Sequence, residues 1–100
     1  MKCQTLQVCA WRIKYLITLS SPLEAHQWKQ IEQNWVGSRL ERFPLSIGGV
    51  LYKLTLPERV GTLTGSSHSP DIYAVLLRVQ SKSLLAQVQD HIERALQENL

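Results

Sequence analysis

Cysteine is scarce. Cys3 and Cys9 are the only two in 100 residues, too few for a disulfide scaffold or a four-thiolate zinc site. On one extended segment they lie ~20 Å apart, well beyond the ~7 Å between Cα atoms that a disulfide tolerates. Two free thiols in a reducing, cytoplasmic compartment are therefore expected. No apolar run reaches the ~18 residues that a membrane-spanning helix needs. Arg12 and Lys14 interrupt the apolar stretch near the start, so that segment is expected to belong to the fold rather than to a secretory leader. Catalytic and metal signatures are also missing. There is no HExxH, no Cys/His pair at zinc spacing and no Gly-x-Ser-x-Gly elbow, and no two of the eight acids are expected to face each other. His26, His68 and His91 are scattered. Metal and cofactor binding are not expected, and enzymatic activity is less expected than binding.

What is present is an apolar chain, 44% hydrophobic and 19% charged, with a formal net charge of +3. That excludes intrinsic disorder, and the length fits one domain over 1–100. No internal repeat or long low-complexity tract occurs.

From Trp11 to Leu19 the odd positions are apolar (Trp11, Ile13, Tyr15, Ile17, Leu19), the period-two mark of a strand with one buried face. Upstream the phase is reversed, at Leu6, Val8 and Ala10. This slip predicts a β-bulge near Cys9–Trp11, or a separate arm or edge strand over 1–10. Ser21-Pro22-Leu23-Glu24 reads as a helix start, with Ser21 as N-cap and Glu24 completing a capping box. The helix that follows puts Trp28, Ile31 and Trp35 on one stripe, expected to pack in the core, and Gly37 is placed to stop it. Ser38 to Phe43 is read as a further turn, on which Arg39 and Arg42 would share a face.

Leu45 to Ile47 reads as a short strand, Gly48-Gly49 as a hairpin turn, and Val50 to Leu56 as the returning strand, ended by Pro57. Residues 57–71, rich in Gly, Ser and Pro, read as a long loop, with Arg59 to Thr64 able to extend the hairpin. Asp71 to Gln80 is apolar on both faces, as in a central strand. Its aromatic phase (Tyr73, Val75, Leu77, Val79) is assigned to the core. Ser81 caps a last helix over 82–98, with Leu84, Leu85, Val88, Ile92, Ala95 and Leu96 inward.

The resulting order, β-α-β(β)-β-α, implies an α+β two-layer sandwich with both helices on one face of an antiparallel sheet. It resembles a ferredoxin-like domain that stops before its last strand, a place the N-terminal arm or a partner's edge would take. The resemblance concerns fold and carries no function.

With both helices on one face, the other is expected to be uncovered. It is expected to carry Arg12, Lys14, Leu16, Thr18, Leu51, Lys53, Thr55, Ile72, Ala74, Leu76 and Arg78: cations and aliphatics with no acid. A patch of this kind marks a contact site. The expected function is a small binding or assembly module, self-associating as a homo-oligomer or docking to a larger protein. Leu16, Leu51, Ile72 and Leu76 would make the contact, and Arg12, Lys14, Lys53 and Arg78 would steer it. A DNA- or RNA-binding domain using the same cations is the alternative. It ranks lower because the aromatic rings are assigned to the core instead of to a base-stacking platform. A third reading is a small anion-handling enzyme, in which Gly65, Ser66, Ser67 and His68 form an anion-binding loop. That stretch lacks the GK[ST] of a phosphate-binding loop.

Overall fold

The reversal of phase near Trp11 is a hairpin. In the computed structural model, which describes residues 1–97, β1 (Lys2–Val8) turns through Cys9–Trp11 into the antiparallel strand β2 (Arg12–Thr18). The expected arm is thus an edge strand of the chain's own sheet. The bulge is real but lies between Thr5 and Gln7. After β2 the backbone runs through Ser20–Leu23 before helix α1 (Ala25–Asn34) begins. Glu24 is the N-cap, not Ser21: its amide donates to Gln27 Oε1 at 2.7 Å. Burial of Leu23 holds the preceding segment against the core, so the helix starts after it.

Beyond Gly37 the chain is extended, as β3 (Arg39–Pro44), followed by β4 (Val50–Thr55). The expected helical turn over 38–43 and strand over 45–47 are both corrected. Every residue from Arg39 to Pro44 is paired with one from Thr55 to Val50. Arg39 and Arg42 are an odd and an even position of one strand, so they point to opposite faces. The expected two-residue turn at Gly48-Gly49 is instead the five-residue loop Leu45–Gly49, turning at Ser46–Ile47 through Gly48 N–H to Leu45 O at 3.0 Å, with both glycines following at positive φ.

The segment 57–71, expected as a long loop, contains a strand. A tight turn over Pro57–Arg59 leads into β5 (Gly61–Ser66), which pairs with β4 on one side and with β6 (Asp71–Leu77) on the other. A 3-10 turn, Arg78–Gln80, then leads into helix α2 (Ser81–Gln97). Position 98, expected to end that helix, lies outside the described residues. The sheet has six strands in the order β1-β2-β6-β5-β4-β3, antiparallel at every pairing. The fold is α+β, with two more strands than the sequence order foresaw.

One core cluster joins the inner face of the sheet to both helices: Tyr15, Ile17, Tyr52, Leu54, Leu63, Ile72, Ala74 and Leu76 with Trp28, Ile31, Trp35, Leu84, Val88, Ile92 and Ala95. Trp28 and Trp35 are core residues, as expected, and the Trp28 ring stacks on Tyr52 with centroids 5.5 Å apart. In β6 the expected orientation is inverted. Ile72 and Leu76 are 2% and 0% exposed, whereas Tyr73 is 39% exposed. Register decides this. Ile13, Tyr15 and Ile17 of β2 lie opposite Leu76, Ala74 and Ile72. Partners across an antiparallel pair share a face, so the small Ala74 leaves room for the inward Tyr15 ring.

Candidate functional site

The face of the sheet turned away from the helices has no further layer of chain over it among the described residues. Cross-strand register arranges it in rows. Lys14, Val75, Thr62, Thr55 and Arg39 form one row across β2, β6, β5, β4 and β3, and Leu16, Tyr73, Thr64, Lys53 and Glu41 form the next. Arg12 with Leu77, Thr18 with Asp71, and Leu51 with Phe43 extend the pattern. Lys2 and Gln4 on β1 share this face through their partners Thr18 and Leu16.

The residues expected on this face divide into two groups. Arg12, Lys14, Leu16, Leu51 and Lys53 are there, together with Thr18 and Thr55. Ile72, Ala74 and Leu76 are not; they are buried under the helices. Arg78 is also elsewhere. It sits in the 3-10 turn, where its amide donates to Trp11 O at 2.8 Å and its Nη1 to Cys9 O at 3.3 Å, tying down the β1–β2 turn. The places assigned to Ile72, Ala74 and Leu76 are taken by Asp71, Tyr73, Val75 and Leu77. Arg39, Glu41 and Phe43, expected on a helical turn, also lie on this face, opposite Thr55, Lys53 and Leu51. The face therefore does hold acids, Glu41 and Asp71, although Lys2, Arg12, Lys14, Arg39 and Lys53 outnumber them. Asp71 accepts a hydrogen bond from Thr18 Oγ1 at 3.1 Å. The Lys14 ammonium lies 5.0 Å from the centroid of the Tyr73 ring, a cation–π contact on the open surface. Trp11, assigned to the core, is 78% exposed at the hairpin turn.

At one corner of this face lies a concavity of ≈ 590 Å³. Its lining includes Arg12, Arg39, Lys53 and Arg59, with Glu41 and Glu58, the hydroxyls of Thr55 and Thr62, and Gly37 and Gly61. Its rim is the β4–β5 turn. There Glu58 (φ 60°) and Arg59 (φ 56°) are both left-handed, the mirror-image turn that suits a hairpin but favours Asn-Gly. In a residue with a Cβ each such conformation costs ~1–2 kcal/mol. The turn is held by Leu56 N–H to Gly61 O at 2.9 Å and Arg59 N–H to Leu56 O at 3.0 Å. It is also packed from both sides. A Cβ on Gly37 would meet Pro57 at 3.2 Å, and one on Gly61 would come within 2.6 Å of Val75 O.

Several polar groups of the expected anion loop bond within the chain. Gly65 lies in β5, under the Trp28 ring. The Ser67 amide donates to Val50 O and Ser67 Oγ accepts from the Val50 amide, both at 2.9 Å. The His68 amide donates to Ser66 Oγ at 3.3 Å, and its ring Nε2 lies 2.8 Å from Gly48 O. These contacts close the β3–β4 turn against the β5–β6 turn. Between the helices, His91 stacks on Trp35 with centroids 4.3 Å apart, and its Nδ1 is buried with no hydrogen-bond partner. Burial lowers its pKa, and Arg94 lowers it further against a smaller opposing pull from Asp90. No helix among the described residues is long and apolar enough to cross a membrane, and no group of three or more metal-ligating side chains occurs among them. The chain matches no family profile, and no curated protein or solved structure is similar to it at a significant level.

Proposed function

We propose that the chain is a non-enzymatic binding module whose uncovered sheet face docks an acidic, partly apolar segment of a partner protein. The observation that carries this reading is the open side of a six-stranded sheet on which Leu16, Tyr73 and Val75 adjoin one another, flanked by Arg12 and Lys14. Exposed apolar area rimmed by long cations is the usual make-up of a contact surface. Charge selects the occupant. Two copies meeting through this face would oppose like charges, whereas an acidic segment complements it. The exposed free thiols Cys3 and Cys9 support a reducing, cytoplasmic setting. Kinship with the ferredoxin-like order remains part of this reading. It is supported by β6 lying between β2 and β5, and by β1 lying outside β2 in place of a strand after α2.

The test compares the wild-type chain with Leu16→Asp and Tyr73→Asp, and with Gln87→Asp on the solvent side of α2 as control. A partner retained by wild type and control but lost by both face variants, with exchange protection on β2 and β6, supports the reading. Equal retention by all four, or protection confined to the helices, overturns it. Light scattering is expected to give a monomer mass at all concentrations.

Tyr73 and Phe43 favour a second reading, single-stranded nucleic acid, because both rings point to the open face beside cations. It requires affinity for a mixed oligonucleotide that falls steeply with salt and drops when Tyr73 becomes Ala. No binding at low salt removes it.

A further inference from the structure

The corner concavity points to a second kind of ligand. We propose that it binds the terminal phosphate of a small phosphorylated molecule, held among Arg12, Arg39, Lys53 and Arg59. These cations come from β2, β3, β4 and the β4–β5 turn, yet they line one ≈ 590 Å³ space. Their convergence is a product of the sheet order, not of a charge run in the sequence. Like charges gathered this way repel, and Glu41 and Glu58 offset only part of the excess. The uncompensated remainder matches a phosphate dianion. Guanidinium groups suit it because their planar forks bind phosphate oxygens in pairs. Between them, Thr55 and Thr62 are directly paired across β4 and β5 and offer neutral hydroxyl donors. The volume lies in the range of small-molecule sites. The rim is preorganised: Pro57 is packed against Gly37, and the turn carrying Arg59 is closed by the hydrogen bonds from Leu56 and Arg59. An Arg held in the left-handed region at this rim is a local sacrifice of stability of the kind found at ligand sites. The site does not depend on a protein docking over the rest of the face.

The experiment is titration of the 15N-labelled chain at low salt with inorganic pyrophosphate, ADP and citrate in parallel. Saturable shifts confined to residues 37–41, 53–62 and 12, with pyrophosphate or ADP and not citrate, are the expected result. Comparing pyrophosphate with ADP separates an inorganic ligand from a phosphate ester. Arg59→Gly keeps the left-handed turn while removing the charge, and Arg39→Gln alters an exposed edge position. Each is expected to weaken binding about tenfold. Arg94→Gln, which removes the cation paired with Asp90 on α2, is expected to leave it unchanged. No saturable shift up to about 10 mM ligand, equal binding of citrate, or equal loss in all three variants overturns the proposal. Tyr73→Asp separates the two readings, since it breaks protein docking and leaves phosphate binding intact.

Discussion

The Trp28 ring occupies the space that a side chain at Gly65 would need: a Cβ there would lie 2.9 Å from Trp28 Cζ2. Gly65 sits in the middle of the sheet, and Trp28 is almost fully buried. Gly65→Val must therefore displace the largest side chain of α1 or bend β5. A loss of ~1–3 kcal/mol is expected, as for other overpacked cores. Urea denaturation should show a lower midpoint at an unchanged slope.

Leu76 and Tyr73 test the orientation of β6. Leu76→Asp places a carboxylate in the core, where nothing pairs with it, and the variant is expected not to fold. Tyr73→Asp changes the open face and is expected to keep the native circular dichroism spectrum, with a cost of about 1 kcal/mol or less, typical of a surface substitution.

Strain at the β4–β5 turn predicts a gain. Arg59→Gly removes the Cβ from a residue at φ 56°. Relief of the left-handed penalty, less the extra chain entropy of glycine, is expected to stabilise the fold by ~0.5–1 kcal/mol. The melting temperature should rise by a few degrees. A melting temperature unchanged or lowered would show that Arg59 makes compensating contacts.

The pKa of His91 is lowered by burial and by Arg94. Its neutral form is therefore favoured in the folded chain, and the unfolded chain binds the proton more tightly. Stability is full above the unfolded pKa of ~6.5 and falls as pH drops through the folded value, below which it levels off. Unfolding midpoints between pH 7.5 and 5 should show this decline. His91→Phe, which keeps a ring against Trp35, should flatten it.

Much of this fold is legible in the sequence where one face alone is apolar. The alternation over 13–19 and the Trp28–Ile31–Trp35 stripe each have one reading, and each is in place. β5 is obscured because Gly61 and Gly65 hold buried positions where Val or Leu would have signalled a strand. Their reason is remote: the Val75 carbonyl and the Trp28 ring. β6 is apolar on both sides, so only its register with β2 orients it. β3 exists through its pairing with β4, and its own charges conceal it. The corner concavity joins positions 12, 39, 53 and 59, and only the sheet order makes them neighbours. Of the surface expected from the sequence, the part on β2 and β4 is in place, Ile72, Ala74 and Leu76 turn inward with β6, and Arg78 lies in the 3-10 turn.

The displaced register between Thr5 and Gln7 matters beyond its own hairpin. β1 lies at one rim of the sheet and β3 at the other. A smooth rim would offer a regular ladder of amide and carbonyl groups to any passing strand. The irregularity at Thr5–Gln7 spoils that ladder at one rim. Pro44, which lacks an amide hydrogen, and the charges of Arg39, Glu41 and Arg42 do the same at the other. With both rims blunted, edge-to-edge stacking of copies into fibrils is discouraged.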